Sequence, residues 1–362
     1  MLEKLPIPTP GPTELLIRVS AVALNPVDCM FAAHLITTQE RRILRTDFAG
    51  TIVDRGSAAD AQKIPVGVRV AGFLQGGNVL HKRFAEYVTI PWDLVWRAPS
   101  HMSLESASSI SMCGTSFSPS SSTSNSTLRS GDIITNHTPT DPLNVLIYGS
   151  STSLGLYVAQ LLRLTSLTPT SPSPSPRPIR LVGSASAFNH IPLRQPPYTY
   201  DILVDYHSPT WVAEVRAATG GRGVDYAVDC ISEGDTVASV ERTFGSRGGR
   251  LAVIRAPANG GYGTTAMRVK PEYGAVWEGL DVEVKFLNDL TIPANPRARE
   301  FAVDFYKFLS SGAERGETVL EPNPVRIMPG GLDRIASDEK SGRSEDYMRR
   351  VSMEKLVYPL TL

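Results

Sequence analysis

The stretch Asn144-Val-Leu-Ile-Tyr-Gly-Ser-Ser-Thr-Ser-Leu-Gly-Leu-Tyr-Val-Ala-Gln-Leu-Leu-Arg163 decides how the rest of the chain is read. It opens with an apolar run, Val145 to Tyr148, and turns through Gly149-Ser150-Ser151-Thr152-Ser153. Leu154, Val158, Leu161 and Leu162 then recur at spacings of three and four, which predicts a helix. Strand, small-residue turn and helix are the parts of a βα unit that binds a dinucleotide. The helix N-terminus offers N–H groups without a helical carbonyl and a partial positive charge, which suit a pyrophosphate. Gly149 permits the turn, and Gly155 lets the helix lie close to the strand. The spacing departs from G-x-G-x-x-G: two glycines are present, Ser151 stands where a middle one might fall, and Gly155 comes one place late. An ordinary βα crossover fits this stretch, taken alone, as well as a nucleotide site does.

The 362 residues are long enough for two domains. A hydrophobic share of 41% and a charged share of 20% suit a soluble globular protein. The 36 basic and 36 acidic residues cancel and form no basic block, which argues against a nucleic-acid partner. No apolar run approaches the roughly 20 residues of a membrane span, and Met-Leu-Glu-Lys-Leu-Pro6 lacks a signal peptide's apolar core. Cys29, Cys113 and Cys230 lie far apart, which points to reduced thiols and a cytoplasmic location.

Pro6, Pro8, Pro10 and Pro12 keep the start extended. Strands are predicted over Glu14–Leu24, Asp47–Gly56, Val66–Phe73 and Arg83–Pro91, with Val27–Met30 a turn or short helix. Short strands broken by Gly and Pro suggest an irregular β-barrel. From Asn144 the pattern changes. Strand-like runs at Asn144–Tyr148, Arg180–Gly183, Ile202–Val204, Asp225–Asp229 and Gly249–Ile254 alternate with helical ones such as Trp211–Thr219. That alternation predicts a parallel sheet. A helix is expected at Arg297–Ser311 and a last strand after Met353. The low-complexity segments Ser118–Ser130 and Thr165–Pro178 are read as surface insertions.

Taken in order, Ala23-Leu-Asn-Pro-Val-Asp28, Asp47-Phe-Ala-Gly50, Val66–Phe73, Phe84-Ala-Glu-Tyr-Val88, Val145–Gly149, Pro329-Gly-Gly-Leu332 and Val351-Ser-Met-Glu-Lys-Leu-Val357 resemble the medium-chain dehydrogenase/reductase superfamily over nearly the whole chain. Val145–Tyr148, Asp205-Tyr206 and Val224–Ser232 look most like the fungal trans-acting enoyl reductases, which partner polyketide synthases. The resemblance implies an α/β fold class: a GroES-like β-barrel domain (residues 1–114 and 285–362) and a doubly wound Rossmann domain (115–284), with insertions at 118–130 and 165–178. It implies hydride transfer to an α,β-unsaturated polyketide thioester on a carrier protein, and leaves open whether the protein is a monomer. No metal is expected, because Asn25 stands where zinc relatives carry Cys, and a neutral amide is a poor zinc ligand. Cys29 with His34 lacks a third ligand.

NADPH is the expected cofactor. The second strand runs into Ser184-Ala-Ser-Ala-Phe-Asn189, which has no carboxylate to repel a 2′-phosphate and has donors in Ser184, Ser186 and Asn189. The resemblance places Val27, Asp28, Cys29, Met30, Ser151, Thr152, Ser153, Leu154, Ser186, Ala187, Phe188, Asn189, Tyr206, Ile254, Arg255, Val351 and Ser352 around the cofactor. It places Thr115 and the region 284–288 along the acyl pocket, with Thr115 or water as the proton source. Tyr206 either covers the adenine or is a core aromatic. Three departures stand out. Met30 replaces the lysine common in the enoyl reductases, Met353 replaces a glycine, and Pro119 disfavours the helix that usually precedes the nucleotide domain. The strand that usually opens the fold is also missing. A stand-alone quinone or enone reductase and a diverged, non-catalytic synthase partner fit the same sequence.

Overall fold

The computed structural model describes residues 6–33, 46–59, 64–75, 86–116, 141–167, 178–286, 290–340, 346, 348 and 350–360. Segment Ser118–Ser130, Arg83–Ala85, His34, Pro119 and Asn288 lie outside them, as does most of Thr165–Pro178. The chain divides into two compact units, one of Met1–Thr115 and Trp277–Leu362, the other of Ser116–Val276.

The first unit begins with β1 (Glu14–Ala23), helix α1 (Pro26–Ala33), β2 (Asp47–Arg55), β3 (Arg69–Phe73), β4 (Tyr87–Pro91) and β5 (Val95–Arg97). Short helices α2 (Leu104–Ala107) and α3 (Ser111–Thr115) follow. The expected strand from Val66 starts only at Arg69, because Gly67 turns the chain with φ +89°. The segment Val27–Met30 is part of an eight-residue helix.

The second unit opens on β6 (Leu143–Tyr148) and α4 (Ser153–Leu167), then β7 (Ile179–Ser184), α5 (His190–Leu193), β8 (Ile202–Val204) and α6 (Trp211–Ala218). It continues with β9 (Tyr226–Asp229), α7 (Thr236–Glu241), β10 (Arg250–Val253), α8 (Pro257–Gly260) and β11 (Pro271–Tyr273). Its sheet runs β11-β10-β9-β6-β7-β8, and every pairing in it is parallel. The order reverses between β6 and β9, the switch point outside which α/β sheets bind ligands. Thr165, Ser166 and Leu167 are helical, a correction to the surface insertion expected from Thr165. The Thr165 hydroxyl donates back to Leu162 O (2.9 Å), so the residue is accommodated inside the helix.

The chain returns to the first unit with β12 (Val284–Lys285), β13 (Thr291–Ile292), α9 (Pro296–Arg315), β14 (Val325–Ile327), α10 (Gly331–Lys340) and β15 (Lys355–Pro359). β15 pairs with β1 and β14, which completes the seven-stranded sheet β14-β15-β1-β2-β3-β5 with β4 also on β1.

Lys355 at the start of β15 is 2% exposed. Its ammonium donates to Asn25 Oδ1 and lies 3.4 Å from Asp47 Oδ2 and 3.8 Å from Cys113 Sγ. Asp47 also accepts from Asn25 Nδ2 (2.9 Å) and Met112 N (2.8 Å), while Asn25 Nδ2 donates to Thr46 Oγ1 (2.7 Å). Burial works against the Lys355 charge, but Cys113, Asp47 and Asp28 outweigh it and raise its pKa. One cation thus ties β15, β2, α3 and the residue ahead of α1. Lys355→Met should cost about 3–5 kcal/mol, because it strands Asp47 without its cation; the unfolding midpoint checks this. Two residues upstream, Met353 holds φ +58°, the conformation that glycine adopts freely. Met353→Gly should relieve about 1–2 kcal/mol and raise the same midpoint.

Candidate nucleotide and acyl site

In the second unit the sequence-predicted residues gather after the C-terminal ends of parallel strands. After β6 the chain turns at Gly149, with φ +78°. The Ser150 hydroxyl donates to Ile147 O (2.8 Å), which holds the turn to its strand. Thr152 caps α4: its Oγ1 accepts the Gly155 N–H at 3.0 Å, while Ser151 and Ser153 are half-buried. A Cβ on Gly155 would stand 2.4 Å from Gly149 O and 2.9 Å from Ser150 Cα. That approach seats the helix N-terminus against the turn, the arrangement that receives a phosphate.

At the end of β7, Ser184 is fully buried, and its hydroxyl has no hydrogen-bond partner among the described residues. Ala187 and Phe188 are exposed, Phe188 at 72%, and Asn189 is buried. Ser186 Oγ donates to Tyr206 Oη (3.2 Å). Tyr206 is 40% exposed, so it is not a core aromatic. Its ring stands edge-on to Tyr148 at 6.3 Å and packs on His207 at 4.1 Å. Burial, then Asp229 and Tyr206, push the Tyr148 hydroxyl up to about 12, so it stays neutral.

The loop after β7 carries no carboxylate of its own, but Asp205 reaches it from the next strand. The Asp205 carboxylate accepts from His207 N (3.0 Å), His207 Nδ1 (2.7 Å) and the Ala187 N–H. The hydrogen bonds from His207, backbone first, lower its pKa.

After β9, Asp229 organises the turn. Its Oδ1 accepts from Ile231 N (2.9 Å) and Ser232 N (2.8 Å), and its Oδ2 accepts from Thr236 Oγ1 (2.8 Å). Ser232 Oγ then accepts the Ile254 N–H at 3.0 Å, which ties the end of β10 to this turn. Arg255 pairs with Glu233 at 2.6 Å.

In the first unit, Asp28 and Cys29 are buried and Val27 and Met30 are half-buried on α1. Asp28 Oδ2 accepts the Asn25 N–H (2.7 Å) at the start of the helix. Cys29 packs with Leu24 and Leu356, and Val351 lies against that cluster. Ser352 is half-buried beside it in sequence. Thr115 is buried and its hydroxyl donates to Ser111 O (2.9 Å) and Met112 O (3.2 Å). Its proton is therefore already committed to helix carbonyls. Val284 is buried in the β12–β13 pair.

The alcohol dehydrogenase GroES-like domain family matches residues 11–100. The chain is 30% identical over 385 residues to the enoyl reductase cheB of Chaetomium globosum, covering 98% of this chain and 89% of that protein. This chain belongs to the enoyl reductases of the medium-chain dehydrogenase/reductase superfamily. The enoyl reductase is also 29% identical over 368 residues to the trans-enoyl reductase traG of Penicillium crustosum, covering 98% and 92% of the two chains. It shares its fold with the CurK enoyl reductase at a TM-score of 0.67 and 16% identity, covering 99% and 94%.

The residues of this enoyl reductase fit a dinucleotide: an approach at Gly155 that a Cβ would block, an orphaned buried hydroxyl at Ser184, and a half-exposed aromatic at Tyr206. They do not fit a metal, because the Lys355 ammonium faces Asn25, Asp47 and Cys113 and supplies the positive charge there. Among the described residues no three His, Cys, Asp or Glu side chains group as ligands, and no helix is long and apolar enough to cross a membrane. Sequence reasoning singled out neither Lys355 nor His207. It met Asp205 and Asp229 only as parts of a resemblance. The available signals were Asp205-x-His207 and the run Asp229, Ser232, Thr236, whose spacings suit local side-chain to backbone bonds. Gly155→Ala should abolish nucleotide binding measured by calorimetry, because the helix start must move away from the turn.

Proposed function

We propose that the protein is an NADPH-dependent, zinc-independent enoyl reductase acting in trans on an α,β-unsaturated polyketide thioester bound to a synthase's carrier protein. The observation that carries the reading is the cradle made by Gly149 and Gly155 in a chain that aligns nearly end to end with enoyl reductases. When bound, NADPH supplies the hydride that reaches the β-carbon of the substrate.

The chain's own residues bind and orient. Ser151, Thr152, Ser153 and Leu154 are assigned to the pyrophosphate, where N–H groups at the start of α4 favour negative charge. Tyr206 gives the adenine a flat apolar face that Tyr148 supports from the side. Ser186, Ala187, Phe188 and Asn189 are assigned to the phosphorylated ribose, with Ile254 and Arg255 further along the cofactor. From the first unit, Val27, Asp28, Cys29, Met30, Val351 and Ser352 carry the same assignment. The buried members, Asp28 and Cys29, act through the placing of the α1 backbone.

Thr115 and the region from Val284 are assigned to the acyl chain. Thr115 shapes that region without donating a proton, because its hydrogen is held by Ser111 O and Met112 O.

Co-expression with a synthase whose own reductase domain is inactive tests the reading. The product should lose a carbon–carbon double bond when the protein is present. An unchanged product from a folded, NADPH-binding protein would overturn it. Turnover of free quinones alone would assign the protein to small free substrates instead.

A further inference from the structure

The loop assigned to the phosphorylated ribose contains no cation, yet a 2′-phosphate brings up to two negative charges. The structure also brings a carboxylate to that loop. Strand β8 lies beside β7, and the residue after β8, Asp205, is bonded to the Ala187 N–H. An uncompensated carboxylate there would accept from a plain ribose hydroxyl and repel a phosphate. The cation available to offset it is His207. Its Nδ1 is 2.7 Å from Asp205 Oδ1, and its ring packs on Tyr206 at 4.1 Å. Its side chain is 61% exposed. With Nδ1 turned to Asp205, the other ring nitrogen remains to donate.

We propose that Asp205 and His207 together set the choice between a phosphorylated and an unphosphorylated ribose, with His207 as the cation that recognises the 2′-phosphate. The proposal rests on the reading of Ser186–Asn189 as the ribose loop. Protonated His207 cancels the Asp205 charge and contributes one charge-assisted hydrogen bond to the phosphate. Neutral His207 leaves the loop with the net charge of Asp205, which favours NADH. The geometry keeps the pair in place: Ser186 Oγ holds Tyr206 (3.2 Å), and Asp205 holds the backbone on both sides.

The other titratable groups on neighbouring elements do not supply that cation. Glu214 on α6 is acidic and bonded to Ser208 (2.6 Å) and Thr210 (2.8 Å). Tyr148, its hydroxyl pushed up to about 12 by burial, is neutral. His190 on α5 directs Nε2 to Ala185 O at 3.0 Å.

Dissociation constants for NADPH and NADH, measured on the full chain, test the proposal. His207→Gln should weaken NADPH about tenfold, the worth of one charge-assisted bond, and change NADH by less than about twofold. Adding Asp205→Asn should restore much of the loss, because the amide oxygen still accepts the Ala187 N–H without the charge. No change in His207→Gln, or an equal loss of both cofactors, would overturn the proposal. A native protein that prefers NADH, or binds neither cofactor, would instead overturn the NADPH reading beneath it.

Discussion

One buried ammonium organises the first unit. Lys355 brings a full positive charge into a place where almost no water can reach it, a state that is tolerable only if every partner is in position. Those partners come from three separate parts of the chain: Asn25 ahead of α1, Asp47 at the start of β2, and Cys113 on α3. The charge therefore couples the last strand to β2, and it fixes the entry to α1, where Asp28 closes the helix start from the other side. The same arrangement makes Asn25 a poor metal ligand in chemical terms. Asn25 turns its carbonyl to the ammonium and its amide to Asp47, so both its polar atoms are used.

The second unit uses a different device. Its site consists of strand ends held by short side-chain to backbone bonds. Ser150, Thr152, Asp229 and Ser232 each satisfy backbone groups in the turns that follow β6 and β9. Backbone fixed in this way can face a charged ligand without rearranging, which preorganises binding. The aromatic and acidic groups after β8 extend the same edge, where Tyr206 leans on Tyr148 and Asp205 holds Ala187.

Residue type and spacing were legible where the physics is local. The turn glycines follow from backbone geometry: Gly149 has a positive φ, and Gly155 has no room for a side chain. Met353 in place of glycine was visible as a departure, and the backbone there adopts the conformation that glycine favours. Legibility fell where burial decides. Thr115 looks like an available hydroxyl in the sequence, but α3 turns its proton onto its own carbonyls. Asp28 and Cys29 lie in a motif assigned to the cofactor, but both face inward. Tyr206 could be read as a core aromatic in the sequence, but it is 40% exposed.

By itself the sequence determined the two-part organisation, the alternation that demands a parallel sheet, and the small-residue turn between the first strand and helix of that sheet. Each depends on periodicity or on conformational freedom within about 20 residues, and neighbours in the chain supply that information. Only the tertiary structure decided which charges meet. Lys355 and Asn25 are 330 residues apart in sequence, and Asp205 reaches Ala187 only because β7 and β8 are paired. Electrostatic energy depends on separation in space and on exclusion of water, and neither quantity is written in the order of the residues.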